Sequence, residues 1–420
     1  MIRKNIITVF EHESLKVTDE RLSQSQLESL QAFYGEKGVP YFSLIHKGIK
    51  FNSYVGVIQV GQTTIEILPK ADGFSDETHW RDALIGMIKA VGLFKINVPT
   101  YSSLKLKPNS ILDLYFELFI NQVEYLLHTG LVKKYRKVEG NKDSLKGRIK
   151  FNTHIPKNIV HKERFYVCHS VYDNHHQLHC ILFKAIQLLK RINTNPSLSN
   201  RLGTLCLNFP EMPDIKVTES LFSKTHFNKK TEKYRTAIDI AQLLLLNFHP
   251  DIKRGQNHVL ALMFDMNVLW EKFVYVSLRK HKSPDATIKA QNTKSFWKHE
   301  NGRRINIRPD IVMDQNTENC VVLDTKWKNL SGSYPSIEDL RQMFVYMKYY
   351  DTRRVAVIYP GADYLNVSGC YSKESPTEIG DLNCCLISLP VNPDIKLWQR
   401  SIHATVSEWK NSGSLQLAEI

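Results

Sequence analysis

A chain of 420 residues, 42% of them hydrophobic, is long enough for two or three cores. Its richest apolar run, IAQLLLLNF from Ile240 to Phe248, falls short of the ~18 residues a membrane-spanning helix needs, which excludes an integral helical membrane protein. Seven thinly spread cysteines do not make a disulfide framework, and Glu11, His12 and Glu13 cut the opening MIRKNIITVF too early for a signal peptide, so a cytoplasmic protein is expected. A formal charge of +14 suits a phosphate backbone as partner, with a solvated basic surface as the alternative.

The first hundred residues predict a β-rich module with one helix. ITVFEH reads as a strand, Gln26 to Phe33 as a short helix, and Val55 to Val60 with Thr63 to Leu68 as a hairpin turning at Gly61-Gln62. Trp80, Leu84, Met87, Ile88 and Val91 have the spacing of an amphipathic helix, capped by Ser75 and stopped by Gly92. Ser110 and Asp113 form a capping-box start for a long helix through Leu127 that stops near Gly130.

Residues 131–164 then carry eleven Lys or Arg against three acids, a net of +8. Tyr135, Phe151, Phe165 and Tyr166 interleave with these cations, a pattern suited to tracking phosphates, although a charge run is as readily a solvated face. Lys133, Lys134 and Arg136 are the candidate DNA contacts of this stretch. The segment CHSVYDNHHQLHC lacks paired zinc-ligand spacing, and Leu178, Ile181, Leu182, Ala185 and Leu189 mark a helix from His176 to Ile192. Its histidines therefore read as polar residues at a helix start. With a further helical pattern from Thr231 to Asn247, the middle of the chain is expected to be mainly helical.

The last part predicts a long helix from about His258 to Lys280, then strands at Ala286 to Gln291 and Arg303 to Arg308. Ile311-Val312-Met313 and Val321-Val322-Leu323 flank the turn-forming run Asp314 to Asn319 and predict a hairpin. After Ser331, Gly332, Ser333 and Pro335, a helix capped by Ser336 runs to Tyr350. It is followed by a buried strand at Val355 to Tyr359, a further strand at Leu382 to Leu389 and a helix from Asp394 to Trp409. Three domains are expected: a β-rich module at 1–100, a mainly helical basic region at 101–255, and an α+β domain of αβββαβ order at 256–420.

The stretch Arg308 to Lys328, RPDIVMDQNTENCVVLDTKWK, concentrates the chemistry. Asp310 opens one apolar strand and Asp324 closes the next, where burial without a ligand would be costly. Strand alternation puts Asp324 and Lys326 on one face. Two carboxylates with a backbone carbonyl and waters suit octahedral Mg²⁺, which would neutralise a phosphate and activate water. Lys326 would then orient and help deprotonate the nucleophile, or stabilise developing charge. Glu271 is a further carboxylate on the preceding helix, and Gln342 and Tyr346 share a face of the following one at i and i+4.

Glu271, Asp310, Asp324-x-Lys326 and Gln342-x-x-x-Tyr346 together resemble the PD-(D/E)xK nuclease superfamily in its RecB-like form. The strings IEILPK, LKGRIKF, MFDMNVLWEKFV, RPDIVM, LDTKWK and DLRQMFVYMKYY, in this order, are similar to the McrC family, the nuclease subunits of McrBC-type modification-dependent restriction systems. The resemblance covers most of the chain and is strongest from about Met263 to Tyr359. It implies a Mg²⁺-dependent DNA endonuclease acting on modified double-stranded DNA, with Asp310 and Asp324 as metal ligands and Lys326 as the catalytic lysine. Glu271 would be a helper, Gln342 and Tyr346 would organise the site or touch DNA, and Lys328 joins the candidate DNA contacts. The implied partner is a hexameric McrB-like AAA+ GTPase ring, stimulated by the subunit, with the amino-terminal portion docked in its pore. The absence of GxxxxGK[ST] agrees that no nucleotide site lies in this chain. The rival readings are a freestanding RecB-like repair nuclease and a non-catalytic adaptor that binds DNA or activates a GTPase.

Overall fold

The computed structural model describes residues 5–70, 76–91, 111–249, 258–300, 302–328, 334–372 and 379–416. The proposed cap Ser75, stop Gly92, cap Ser110 and the loop residues Ser331, Gly332 and Ser333 lie outside them. The fold is mixed α/β, and the chain divides into two compact units, residues 1–95 with 251–420 and residues 96–250. The first hundred residues and the last part thus build one unit.

In the first unit, Asn5–Phe10 runs parallel to Thr63–Leu68, which forms the expected hairpin with Tyr54–Val60. Val259–Asp265 pairs antiparallel on the far side of Tyr54–Val60, Val259 opposite Val60. These residues were expected to begin the long helix. They form a strand because their side chains complete the sheet's buried faces, and the helix starts only at Met266, where Asp265 Oδ1 accepts from Asn267 N and Val268 N. Gly56 permits the pairing: its φ is +135°, and a Cβ there would lie 2.2 Å from Leu262 O. Gln24–Tyr34, with Leu27 and Leu30 inward, packs on this sheet beside the small sheet of Ser14–Lys16, Gly48–Phe51 and Phe42–Ile45.

The same unit holds a six-stranded sheet in the order Ile288–Ala290, Ile311–Met313, Val321–Thr325, Arg354–Gly361, Ile379–Pro390 and Leu365–Ser372. The expected hairpin is present, with Ile311 opposite Leu323, and its turn uses positive φ at Asp314 and Asn316. Val321–Thr325 and Arg354–Gly361 are parallel and are joined through the helix Ile337–Tyr350, whose N-cap Ser336 accepts from Asp339 N at 3.1 Å. The strands expected one by one from the sequence omit two, Leu365–Ser372 and Lys294–Lys298. The latter pairs with Arg304–Ile307 as a separate two-stranded ribbon outside the main sheet. On the other side Trp270, Trp327, Trp398 and Trp80 form an aromatic cluster with centroid separations of 5.5 Å (Trp270–Trp327), 5.6 Å (Trp270–Trp398) and 6.3 Å (Trp80–Trp327). It binds the helices Glu77–Val91, Met266–His281 and Ile395–Gln416 to the segment after the Asp324 strand.

In the second unit, Ile111–His128, Gln177–Ile192, Pro196–Asn208 and Arg235–Leu246 form a helical core, and Gly130 at φ +82° follows the first of them. The basic stretch departs from the helical expectation. Lys134–Lys142 and Arg148–Ile149 flank Phe165–Asp173 in a three-stranded antiparallel sheet. Cations at successive positions with little apolar periodicity cannot bury a helical stripe, and cross-strand pairing satisfies the backbone instead. His176 caps its helix by accepting from Leu178 N, while His179 contacts Asn174 O and Tyr234 OH, so both histidines have structural roles.

Candidate functional site

The hairpin, the Met266–His281 helix and the Ile337–Tyr350 helix bring six predicted residues together. Asp310 Oδ2 accepts from both the backbone N and the hydroxyl of Thr325, each at 2.7 Å. Those bonds tie the mouth of one strand to the end of its neighbour and hold Asp310 in one orientation. Asp324 is 2% exposed, and its Oδ2 forms an ion pair with Lys326 Nζ at 2.8 Å, so the two share a face as alternation requires. Apart from that ion pair, Asp324 Oδ2 is a buried oxygen with no hydrogen-bond partner.

Burial, and then the neighbouring charge of Asp310, push the Asp324 carboxyl up to about 6. Burial followed by Asp310 also raises Glu271, whose Oε1 accepts from Gln291 Nε2 at 2.8 Å. The charge of Asp310 thus acts on both Asp324 and Glu271. Burial would depress Lys326, but the charges of Asp324, Asp339 and Asp310 and its bond to Asp324 outweigh it and hold the ammonium protonated.

From Lys326 a chain of polar contacts runs outward. Its Nζ donates to Gln342 Oε1 at 3.1 Å, Gln342 Nε2 donates to Tyr346 OH at 2.8 Å, and Tyr346 OH donates to Arg308 O at 3.2 Å. The i, i+4 pair therefore connects the lysine to the backbone just before Asp310. Burial, and then Asp324, raise the Tyr346 phenol, which stays a neutral donor.

Three residues of this arrangement were not singled out from the sequence. Thr325 lies between two predicted site residues. Asp339 accepts from Lys328 Nζ at 2.6 Å and from Tyr359 OH at 3.3 Å, and lies 3.9 Å from Lys326. Its position three residues before Gln342 puts both on one helical face, a signal that could have found it. Gln291 follows an edge strand with φ +49° and carries no such signal.

Lys328 is paired with Asp339. Of the other candidate DNA contacts, Arg136 is paired with Asp173 at 2.9 Å, whereas Lys133 and Lys134 are exposed; all three belong to the second unit.

Among the described residues no group of three or more His, Cys, Asp or Glu is arranged to hold a metal ion. The donor chemistry nevertheless fits a hard divalent cation: the buried Asp324 carboxylate lies within the field of a second carboxylate, Asp310, and Mg²⁺ takes one or two carboxylates and keeps several waters. No helix among the described residues is long and apolar enough to cross a membrane.

Comparison with known proteins gives one family and one fold. The family described as McrBC 5-methylcytosine restriction system component matches residues 49–360. A chain from the refined half-complex of the tetradecameric assembly of Thermococcus gammatolerans McrB AAA+ hexamers with bound McrC is similar in fold. Its TM-score is 0.68 at 19% identity, over 95% of this chain and 100% of that one. A chain of the Thermococcus gammatolerans McrBC complex aligns over 66% of this chain and 87% of its own, at 20% identity and TM-score 0.49. No curated protein matches.

Proposed function

We propose, from the premise that the chain belongs to the McrBC family of 5-methylcytosine restriction system components, that it is the McrC-type subunit of such a system and hydrolyses DNA phosphodiester bonds. The observation that carries this reading is the buried Asp324 carboxylate, ion-paired with Lys326 at 2.8 Å and raised by burial and then by the neighbouring charge of Asp310. Such a charge arrangement is costly for folding alone and is stabilised by a cation. The site's sheet-and-helix setting and the QxxxY pair support a PD-(D/E)xK core.

In this reading Asp310 and Asp324 would hold Mg²⁺, which when bound neutralises phosphate charge and lowers the pKa of a bound water. Thr325 fixes Asp310 through two hydrogen bonds. Lys326, kept protonated by its acidic neighbours, favours the charge-stabilising role over that of a proton acceptor. Gln342 aims the ammonium, and Tyr346 holds Gln342 in place. Glu271 sits close enough to Asp310 to adjust its field and, held by Gln291, is a positioning group.

The likeness to a chain from an assembly containing McrB AAA+ hexamers supports a hexameric AAA+ ring as partner; the family resemblance implies that recognition of modified duplex DNA and GTP hydrolysis reside in that ring. Reconstitution with such a ring, methylated duplex, GTP and Mg²⁺ tests the proposal. Asp310→Ala and Asp324→Ala should abolish cleavage while circular dichroism and ring association stay unchanged; normal cutting by either variant would refute the assignment.

A further inference from the structure

The two-stranded ribbon of Lys294–Lys298 and Arg304–Ile307 has no evident use as part of a core. Its residues are exposed on both faces except Lys294 and Ile307 at its base, and it pairs with no other strand among the described residues. An isolated ribbon of this kind gains little stability from burial. Its base is nonetheless pinned: Lys294 Nζ donates to Tyr349 O at 2.6 Å and Tyr349 OH donates to Phe296 O at 3.3 Å. Both bonds go to the helix that carries Gln342 and Tyr346, and the second strand runs directly into Arg308, Pro309 and Asp310.

The charge of the outer part points away from a purely structural role. From Lys294 to Arg308 there are five Lys or Arg against Glu300, a net of +4. Lys298 and Arg304 are direct cross-strand partners, and no hydrogen bond or ion pair joins either side chain to an acid among the described residues. Like charges facing each other across a strand pair destabilise it unless an anion lies between or above them. Beside them Trp297 and Ile305 are 49% and 51% exposed, an apolar surface at the same end. Between the ribbon base and the helix lies a cleft of about 750 Å³ lined by Phe296, Arg308, Gln342 and Tyr346, and Gln342 accepts from Lys326.

We infer that this ribbon grips duplex DNA beside the scissile phosphate, entering a groove with Lys298 and Arg304 on the flanking phosphates and Trp297 against the sugar–base wall. A two-stranded ribbon fits the ~12 Å major groove, and its second strand continues through Arg308 and Pro309 into Asp310. The inference rests on the nuclease reading but is tested separately from it.

Full-length Asp324→Asn protein, fluorescein-labelled linear duplex and anisotropy over a range of KCl concentrations provide the test. The paired change Lys298→Ala, Arg304→Ala should make the slope of log K against log salt shallower by about 1.8, two phosphate contacts at ~0.9 each. Trp297→Ala should weaken binding with the slope unchanged. Because these side chains are exposed, melting temperatures should match the parent. An unchanged slope, or a parent that does not bind duplex, overturns the inference, as does loss of ring association with DNA binding intact, which would make the ribbon a protein interface. Cleavage by chains with native Asp324 is scored independently: cutting with an unchanged slope removes only the ribbon, and absent cutting with an altered slope removes only the nuclease reading.

Discussion

Lys326 Nζ lies 2.8 Å from Asp324 Oδ2 and donates to Gln342 Oε1 at 3.1 Å, so the lysine is held between a buried carboxylate and a neighbouring helix. Gln342→Ala leaves the charges in place but frees the ammonium to move. Single-turnover cleavage should fall about tenfold or more, worth ~1.4 kcal/mol in the transition state. Mg²⁺ affinity should stay unchanged in calorimetry. Equal loss of metal binding would place Gln342 in another role.

Thr325→Val keeps the β-branched shape at a buried strand position and deletes only the hydroxyl donor to Asp310. The cost to stability should be about 1 kcal/mol, with the backbone bond from Thr325 N remaining. Cleavage should fall more than stability does, because Asp310 regains rotamer freedom. Denaturant midpoints and cleavage rates measured on the same preparations compare the two losses.

The raised Asp324 carboxyl gives a pH signature. In the folded chain it keeps its proton up to about pH 6, whereas an unfolded chain releases it near pH ~4. In metal-free protein this group contributes stability below that lower value, and the contribution is lost as pH rises towards the folded value. Mg²⁺ competes with the same proton, so the rise in melting temperature on adding Mg²⁺ should be larger at about pH 8 than at about pH 5. Asp324→Asn should remove the difference; a shift of equal size at both pH values would argue against this carboxylate as a ligand.

Trp327 Nε1 donates to Glu11 Oε1 at 2.7 Å across 316 positions, and Lys70 N donates to the same oxygen at 2.8 Å. Burial raises the Glu11 carboxyl, and its Oε2 is buried with no hydrogen bond. Glu11→Gln preserves an accepting oxygen while removing the buried charge, so thermal stability near pH 8 should hold or rise. Trp327→Phe removes the donor and should cost about 1–3 kcal/mol. A destabilising Glu11→Gln would show that the charge itself is needed.

Much of the site was legible because its signals are local. Asp310 and Asp324 lie at apolar strands joined by a short turn, Asp324 and Lys326 alternate onto one face, and Gln342 and Tyr346 are one helical turn apart. Ser336 likewise marked the start of its helix. The basic run at 131–164 was visible as charge, but its strand form was not, because exposed cations carry almost no periodicity.

What the sequence determined by itself is the set of short-range relationships, which depend only on the periods of strand and helix and on residue chemistry. Tertiary structure decided which apolar run pairs with which: Val259–Asp265 could serve a helix or a strand, and only pairing with Tyr54–Val60, against Gly56, selects the strand. It also decided that Asp339 bridges Lys328 and Tyr359, that Thr325 anchors Asp310, and that Glu11 holds Trp327. The physical reason is that burial and hydrogen-bond completion depend on neighbours distant along the chain, which no local pattern specifies.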